Sequence, residues 1–408
     1  MGRVQQRSTT MPVVAMIGGG QLARMTHQAA IALGQCLRVL AAGPGDPAAA
    51  VSADTVIGSH DSLADLRRVA AGANALTFDH EGVPLEHLVA LEADGVAVRP
   101  PSTALHYAQD KLAMRLRLRE LGLPVPDFAD LSGDRAAARR ALQEFGARHG
   151  WQIVLKAVRG GYDGRGVWLL DDEQAALEVF DRADADTQLM AEAKVAMNRE
   201  LSALIARSPF GQGAAWPVVQ TVQRNGQCAV VLAPVPGLVP EVAEQAQQMA
   251  LRLADELGVV GVMAMELFET VDGELVVNEL AMRPHNSGHW TMDGAVTSQF
   301  EQHLRAVLDY PLGTTDPVAG PVVMANVLGA AQAPAMAMDE RVHHLMARMP
   351  EAKIHLYGKG ERPDRKIGHV NIVGGPGADV DDVRERAERA ATWLSTATWT
   401  DGWDVHGE

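Results

Sequence analysis

Gly261-Val-Met-Ala-Met-Glu266-Leu-Phe-Glu-Thr270-Val-Asp272-Gly273-Glu-Leu-Val-Val-Asn278-Glu279-Leu-Ala-Met-Arg283-Pro-His285-Asn286-Ser-Gly-His289-Trp-Thr291 holds two apolar runs separated by Asp272-Gly273. That dipeptide between apolar runs signals a hairpin, and the expected connection is a two-residue type I′ turn. The turn sets the register. Val271 then faces Glu274, Leu267 faces Asn278, and Glu266 faces Glu279. Like charges directly opposite destabilise a sheet. A shared proton relieves the pair, and a divalent cation taking oxygens from both relieves it better. Asn278 adds a third hard oxygen. The pattern predicts Mg²⁺ on Glu266 and Glu279, with substrate phosphates close by. The bland alternative is an exposed hairpin with incidental acids. Directly after the second strand come Arg283, His285, Asn286 and His289, a density of polar chemistry that favours a site.

Outward from the hairpin, the chain alternates strands and helices. Strands are expected at 12–17, 36–41, 54–57 and 75–78, with helices over 21–33 and 62–71. This alternation implies a parallel sheet covered by helices. A helix over 104–121 follows, with Ser102 as its N-cap. Next come a helix over 134–146, strands at 152–157 and 167–170, a helix over 172–181 and a strand at 188–193. Strands dominate to about 233. A helix over 242–257 leads into the hairpin, and another covers 297–308. Residues 311–321 have linker composition. The tail carries strands at 322–328, 352–356 and 369–372 and a helix over 380–394.

A chain of 408 residues suits two or three domains. With 47% hydrophobic and 21% charged residues it reads as globular. Nothing approaches the ~20-residue apolar stretch of a membrane span. Residues 1–10 read as a disordered polar extension, not a signal peptide. Cys36 and Cys228 are too few for a disulfide framework and fit a reducing, cytoplasmic setting. A net charge of −15 argues against nucleic acid as a partner. An anionic small molecule needs locally gathered cations.

Gly18-Gly-Gly20-Gln21-Leu22-Ala23 fits the G-x-G-x-x-A dinucleotide fingerprint between strand and helix. The expected acid closing the next strand is missing: that strand ends Leu40-Ala41-Ala42-Gly43. A nicotinamide-dependent oxidoreductase is therefore disfavoured. A helix N-terminus suited to any phosphate remains. Lys156-Ala-Val-Arg159-Gly-Gly161-Tyr162-Asp163-Gly164-Arg165-Gly166 joins two strands with four glycines and three cations. It matches neither a Walker A loop nor a kinase signature. It reads as a mobile lid over phosphates, with a plain flexible hairpin as the alternative. Glu192, at a strand end, and Glu200 are each surface charges or holders of a ribose hydroxyl. Lys359-Gly-Glu-Arg362-Pro-Asp-Arg365-Lys366 gathers four cations and is a candidate anion clamp.

Together these pieces resemble the ATP-grasp superfamily and, within it, the 5-(carboxyamino)imidazole ribonucleotide synthases of purine biosynthesis. The carriers are Gly160-Gly-Tyr162-Asp163-Gly-Arg165-Gly, Gly261-Val-Met-Ala-Met-Glu266, Arg283-x-His285-Asn286-Ser-Gly-His289-Trp290 and Arg362-Pro-x-Arg365-Lys366-x-Gly368-His369. The resemblance runs from about Met11 to the C-terminal helix. It implies an α/β (α+β) fold: an N-terminal doubly wound parallel-sheet domain over 11–110, an ATP-grasp domain over 111–310 and a small C-terminal domain over 318–400. It implies a ligase acting through carboxyphosphate on ATP, bicarbonate and 5-aminoimidazole ribonucleotide. Mg²⁺, with Mn²⁺ as an alternative, and a homodimer come with it. Another ATP-grasp carboxylate–amine ligase, or a non-catalytic nucleotide-binding protein, is the rival reading.

Position by position, the resemblance puts Lys111 and Lys156 on ATP phosphates under a lid that includes Gly161, Tyr162, Asp163, Gly164, Arg165, Gly166 and Val167. Glu192, Ala193, Lys194 and Val195 would line the adenine pocket. Glu200 would hold the ribose, with Gln223, Asn278 and Glu279 also at the nucleotide and Glu266 and Glu279 on the metal. The ribonucleotide would meet Gly20, Gln21, Leu22, Tyr162, Asp163, Arg165, Arg283, His285, Asn286, Lys359, Arg365 and Lys366. Asp163, Arg165, Arg283, His285 and Lys359 would be catalytic. Two positions depart from the enterobacterial pattern: Lys111 replaces a common arginine, and Gln223 replaces a histidine that contacts ATP.

Overall fold

The computed structural model describes residues 10–161, 166–184, 186–318 and 320–403. Tyr162, Asp163, Gly164, Arg165 and the extension 1–9 lie outside the described residues. Among the described residues no helix is long and apolar enough to cross a membrane.

The expected alternation produces a four-stranded parallel sheet in the order Thr55–Ile57, Cys36–Ala41, Val13–Ile17, Ala75–Phe78. Its central strand is apolar at every inner position because both faces are covered. Ala15 and Ile17 pack with Leu66, Val69, Leu88 and Leu105 on one face, while Val14 and Met16 pack with Leu22, Met25, Phe300 and Leu304 on the other. The second face is closed by helix Gln299–Val307 from the central region. That contact ties the N-terminal sheet to the residues after the hairpin.

A small antiparallel sheet runs Phe128–Asp130, Leu189–Ala193, Ile153–Ala157, Val167–Leu170. The large sheet runs Leu275–Ala281, Gly261–Thr270, Met197–Arg207, Val219–Arg224, Gln227–Ala233, Val322–Leu328, Lys366–Val373, Lys353–Leu356, with Gly213–Ala215 beside Met197–Arg207. Strands of the C-terminal region thus extend the central sheet through the pairing of Gln227–Ala233 with Val322–Leu328. The linker-like stretch 311–321 is strapped down. Gly313 and Gln302 exchange hydrogen bonds, Thr315 Oγ1 donates to the Ala215 carbonyl, and Val318 N donates to the Gly294 carbonyl.

The helix expected over 104–121 is two helices, Ser102–Gln109 and Lys111–Glu120. Asp110 breaks it. Its backbone is extended (φ −127°, ψ 103°) and its carboxylate accepts from the Ala113 amide at 2.8 Å. An aspartate mid-run competes with the helix by capping the next one. Ser102 is not a cap: its amide and hydroxyl both donate to Glu92. Helices Leu85–Ala93 and Met338–Arg348 and strand Phe128–Asp130 stand beside the expected elements; the first lacks a clear helical periodicity and the strand spans three residues, whereas Met338–Arg348 is amphipathic.

The break matters for the site. Lys111 now opens a helix, and its amide donates to the Val158 carbonyl at 2.9 Å. Asp110 also pairs with Arg159 at 2.8 Å. Asp110→Ala should lower stability by about 1–2 kcal/mol through the lost cap, read as a lower urea midpoint at unchanged m-value.

Candidate active site

The hairpin turn differs from the expected one, yet the key pair survives. Thr270 N donates to the Glu274 carbonyl and Gly273 N to the Thr270 carbonyl, so the loop is three residues, Val271-Asp272-Gly273. Gly273 takes φ +82°, the left-handed position that ends such a loop. Pairing therefore starts one step off, and Leu267 faces Val277, not Asn278. A β-bulge between Glu266 and Leu267 restores the step, and Glu266 faces Glu279. Asn278 is the extra residue. Bulges re-aim side chains beside active sites, and here both Asn278 and Glu279 meet lysines of the site.

Lys111 Nζ donates to Glu279 Oε1 at 2.6 Å, and Lys156 Nζ to Asn278 Oδ1 at 3.4 Å. Lys156 also pairs with Glu192 Oε2 at 2.7 Å. The other Glu192 oxygen pairs with Arg115 Nε at 2.7 Å, and Arg115 Nη2 donates to the Asn278 carbonyl at 2.7 Å. All three charged groups are nearly sealed from solvent. Burial pulls the Lys156 ammonium down, and Arg115 and Lys156 hold Glu192 below the usual carboxylate range against its own burial. Glu192 is thus not a surface charge. Its carboxylate is the counter-ion of the small sheet's contact with helix Lys111–Glu120. Lys156 is committed inward by the same contact.

Glu266 is pushed up to about 8, first by desolvation, then by Glu279 and Glu200. Glu200 sits opposite Thr221 and accepts from Thr221 and Gln223, while burial raises it above the usual range. Gln223 therefore works on Glu200. His285 Nε2 lies 3.4 Å from Glu266 Oε1. Burial, with help from Arg283 and Lys366, drives His285 down to about 3, so its imidazole is neutral. Its Nδ1 bonds Ser287 Oγ at 2.8 Å.

Arg283 Nη2 pairs with Glu81 Oε2 at 3.3 Å, and the other Glu81 oxygen takes the Met282 amide. Arg283 Nε is buried with no hydrogen-bond partner among the described residues. Lys359 Nζ donates to Gln21 Oε1 across the N- and C-terminal regions. The glycine turn before Gln21 is already capped: Asp79 takes the amides of Gly20 and Ala23 at 2.5 and 3.0 Å. The helix N-terminus as a ready phosphate cradle is corrected to that extent. Asn286 exchanges hydrogen bonds with Asn326 at 2.8 and 3.1 Å, which fixes the turn to strand Val322–Leu328.

The structure thus gathers Lys111, Lys156, Glu200, Gln223, Glu266, Asn278, Glu279, Arg283, His285 and Lys366 around the hairpin's bulged end, and Gln21 with Lys359 at the N-terminal sheet. Arg365 Nη1 donates to the Gly360 carbonyl and shapes the basic loop. Gly161, Gly166 and Val167 stand at the neck of the glycine-rich loop, closed by Ala157 N donating to the Gly166 carbonyl. Ala193 and Lys194 are held through their amides by Asp127 and Gln152. Arg115, Glu81 and Asp79 were not anticipated. For Arg115 a signal existed: Leu112, Arg115 and Leu118 share one helical face, the buried one.

Among the described residues no three His, Cys, Asp or Glu side chains form a complete metal centre. Glu266 and Glu279 supply two facing carboxylates, a partial donor set that fits Mg²⁺ when phosphate oxygens complete it.

Residues 116–300 match the ATP-grasp domain, 11–109 the ribonucleotide synthetase preATP-grasp domain, and 322–386 the phosphoribosylaminoimidazole carboxylase C-terminal domain. These three segments make the chain an ATP-grasp ligase. It is 63% identical over 396 residues to the N5-carboxyaminoimidazole ribonucleotide synthase of Mycobacterium tuberculosis (strain ATCC 25618 / H37Rv), covering 97% of this chain and 90% of that one. It is 49% identical to the synthase of Corynebacterium ammoniagenes, covering 99% and 97%. The ADP complex of an N5-carboxyaminoimidazole ribonucleotide synthetase superposes with a TM-score of 0.85 at 33% identity, covering 95% of this chain and 99% of that one. The Aspergillus clavatus synthase with ADP and 5-aminoimidazole ribonucleotide gives 0.84 at 27%, covering 94% and 98%. The chain belongs to the N5-carboxyaminoimidazole ribonucleotide synthase family.

The Glu266 carboxyl has a titration consequence. Its folded-state value of about 8 lies above its ordinary value, so its stabilising contribution is full in acid and is lost as pH rises through about 8. In ligand-free protein the melting temperature should fall between about pH 5 and 8, and Glu266→Gln should flatten that fall. A fall of equal slope in the variant, by calorimetry, would refute the assignment.

Proposed function

We propose that this chain carboxylates the exocyclic amine of 5-aminoimidazole ribonucleotide, using ATP and bicarbonate and releasing ADP and phosphate, in de novo purine biosynthesis. The observation that carries the reading is the bulged hairpin: Glu266 facing Glu279, with Lys111, Asn278 and His285 converging on them. Family membership supplies the substrate class.

In the first step a bicarbonate oxygen attacks the γ-phosphorus. The new P–O bond forms as the bond to ADP breaks, giving carboxyphosphate. In the second step the amine nitrogen attacks the carboxyl carbon, phosphate leaves, and the amine proton is released. Phosphoryl transfer needs placement and charge neutralisation more than covalent help. Glu266 and Glu279 would hold Mg²⁺, or Mn²⁺, which would supply charge neutralisation for the phosphates. Lys111 and Lys156 line the same edge, and Glu200, set by Gln223, faces the ribose. The glycine-rich segment 156–166 would serve as the lid that keeps carboxyphosphate from water, a role that falls partly on Tyr162, Asp163, Gly164 and Arg165, outside the described residues. Arg283 and neutral His285 face the amine and the carboxyl group. Asp163, Arg165 and Lys359 complete the proposed catalytic set.

The ribonucleotide phosphate is about doubly charged near neutral pH. We assign it to Gln21 and Leu22, with Lys359, Arg365 and Lys366 supplying the charge that the capped glycine turn lacks. The Lys359–Gln21 contact supports a clamp built from both ends of the chain. The division at 11–110, 111–310 and 318–400 follows these roles. A cytoplasmic homodimer acting on small molecules, without nucleic-acid or membrane partners, belongs to the same reading. Its test is ADP release with bicarbonate, with and without aminoimidazole ribonucleotide.

Glu279→Gln should abolish ADP formation while leaving the circular dichroism spectrum intact. Normal turnover would sink the metal assignment. Arg365→Ala should raise KM for the ribonucleotide about ten- to a hundredfold, the value of roughly 1.5–3 kcal/mol for a charge-assisted hydrogen bond. KM for ATP should barely move. The opposite pattern in steady-state kinetics would place the phosphate elsewhere.

A further inference from the structure

Gln299 is fully buried at the start of helix Gln299–Val307, where a polar side chain has no packing reason to be. Its amide brackets the backbone of His285. Oε1 accepts from the His285 amide at 2.8 Å, and Nε2 donates to the His285 carbonyl at 2.8 Å. The same Nε2 donates to His289 Nδ1 at 2.9 Å. Gln299 itself is fixed by its own amide, which donates to Thr291 Oγ1, while that hydroxyl donates to the Gly288 carbonyl. A Cβ on Gly288 would sit 2.5 Å from Gln299 Oε1, so glycine is what lets the bracket close. The His285 ring is fixed separately, by Ser287 Oγ, which bonds Ser202 Oγ at 2.8 Å.

We propose that Gln299 is the positioning residue of the site: it locks the His285 backbone so that Nε2 faces Glu266. The inference rests on the reading above that His285 serves the ribonucleotide step. Each part of the bracket has one job. Gln299 sets the peptide planes, Ser287 sets the ring, and His289 holds the second Gln299 proton. Because Gln299 donates to His289 Nδ1, the His289 proton lies on Nε2. His289 packs against His369, with ring centroids 5.0 Å apart, and the Tyr357 hydroxyl bonds His369 Nδ1 at 2.8 Å. Tyr357 precedes Lys359 by two residues, so the bracket is anchored in the same strand-and-loop unit that carries the clamp.

Gln299→Leu keeps the volume and removes both hydrogen bonds to His285. A misplacement of about 1 Å at a reacting group costs about a hundredfold in rate. The variant should lose about that much kcat in the ribonucleotide-dependent reaction. Its affinity for a non-hydrolysable ATP analogue, by calorimetry, should stay within about twofold. Gln299→Glu keeps the oxygen that accepts from the His285 amide, but its second oxygen needs a proton to face the His285 carbonyl. Its kcat relative to wild type should therefore rise as pH falls. Unchanged kcat in Gln299→Leu beside a crippled His285→Ala would overturn the positioning role alone. Unchanged kcat in both would overturn the His285 reading beneath it. Loss of ATP-analogue affinity in step with kcat would mean general damage and would also overturn the proposal. If Gln299→Leu does not fold, a pH-independent ratio in Gln299→Glu decides against it.

Discussion

Two carboxylates held face to face on paired strands repel each other, and a half-buried setting strengthens the repulsion. Glu266 and Glu279 are placed that way by backbone pairing, not by a flexible loop, so the conflict is built in. Three nearby cations answer to it directly or at one remove. Lys111 reaches Glu279, Lys156 reaches the neighbouring Asn278, and Arg115 fixes the Asn278 carbonyl. Glu192 then exists to make Lys156 and Arg115 tolerable in the interior. Buried charges persist only when paired and hydrogen-bonded. The site is thus a chain of compensations that starts at one cross-strand pair.

That pair was legible because the hairpin signal was strong. It was read correctly through two deviations that cancel. The turn holds three residues where two were expected, and the bulge at Asn278 removes the resulting offset. Turn length depends on whether Asp272 adopts a right-handed or left-handed backbone, which one dipeptide does not settle. The bulge depends on what Asn278 meets in three dimensions, which includes residues more than a hundred positions away. The N-terminal sheet was legible for a simpler reason. Strands buried on both faces read as continuous apolar runs, and the alternation with helices leaves few topologies.

What escaped the sequence shares one cause. Each missed or corrected residue has a partner that local pattern does not name. Asp79 reaches Gly20 and Ala23 because a parallel sheet brings its strand end beside the first one. Asn286 meets Asn326, forty positions on, only because strand Val322–Leu328 runs beside the turn. The helix over 104–121 looked continuous because Asp110 is tolerable in a helix, and only Arg159 and Val158 show why the break is preferred.

The pairing pattern also bears on how a chain of net charge −15 takes up polyanions. An open cationic hole would be costly to keep and would attract any anion. Here the cations are already engaged: Lys111 with Glu279, Lys156 with Glu192, Arg283 with Glu81, Arg159 with Asp110. A polyanion that binds here must displace one of these carboxylate partners. Under the proposed reading, a divalent cation on Glu266 and Glu279 would replace what Lys111 gives when a phosphate draws it away, so the cost of separating the pair would fall least on an anion that brings its own cation.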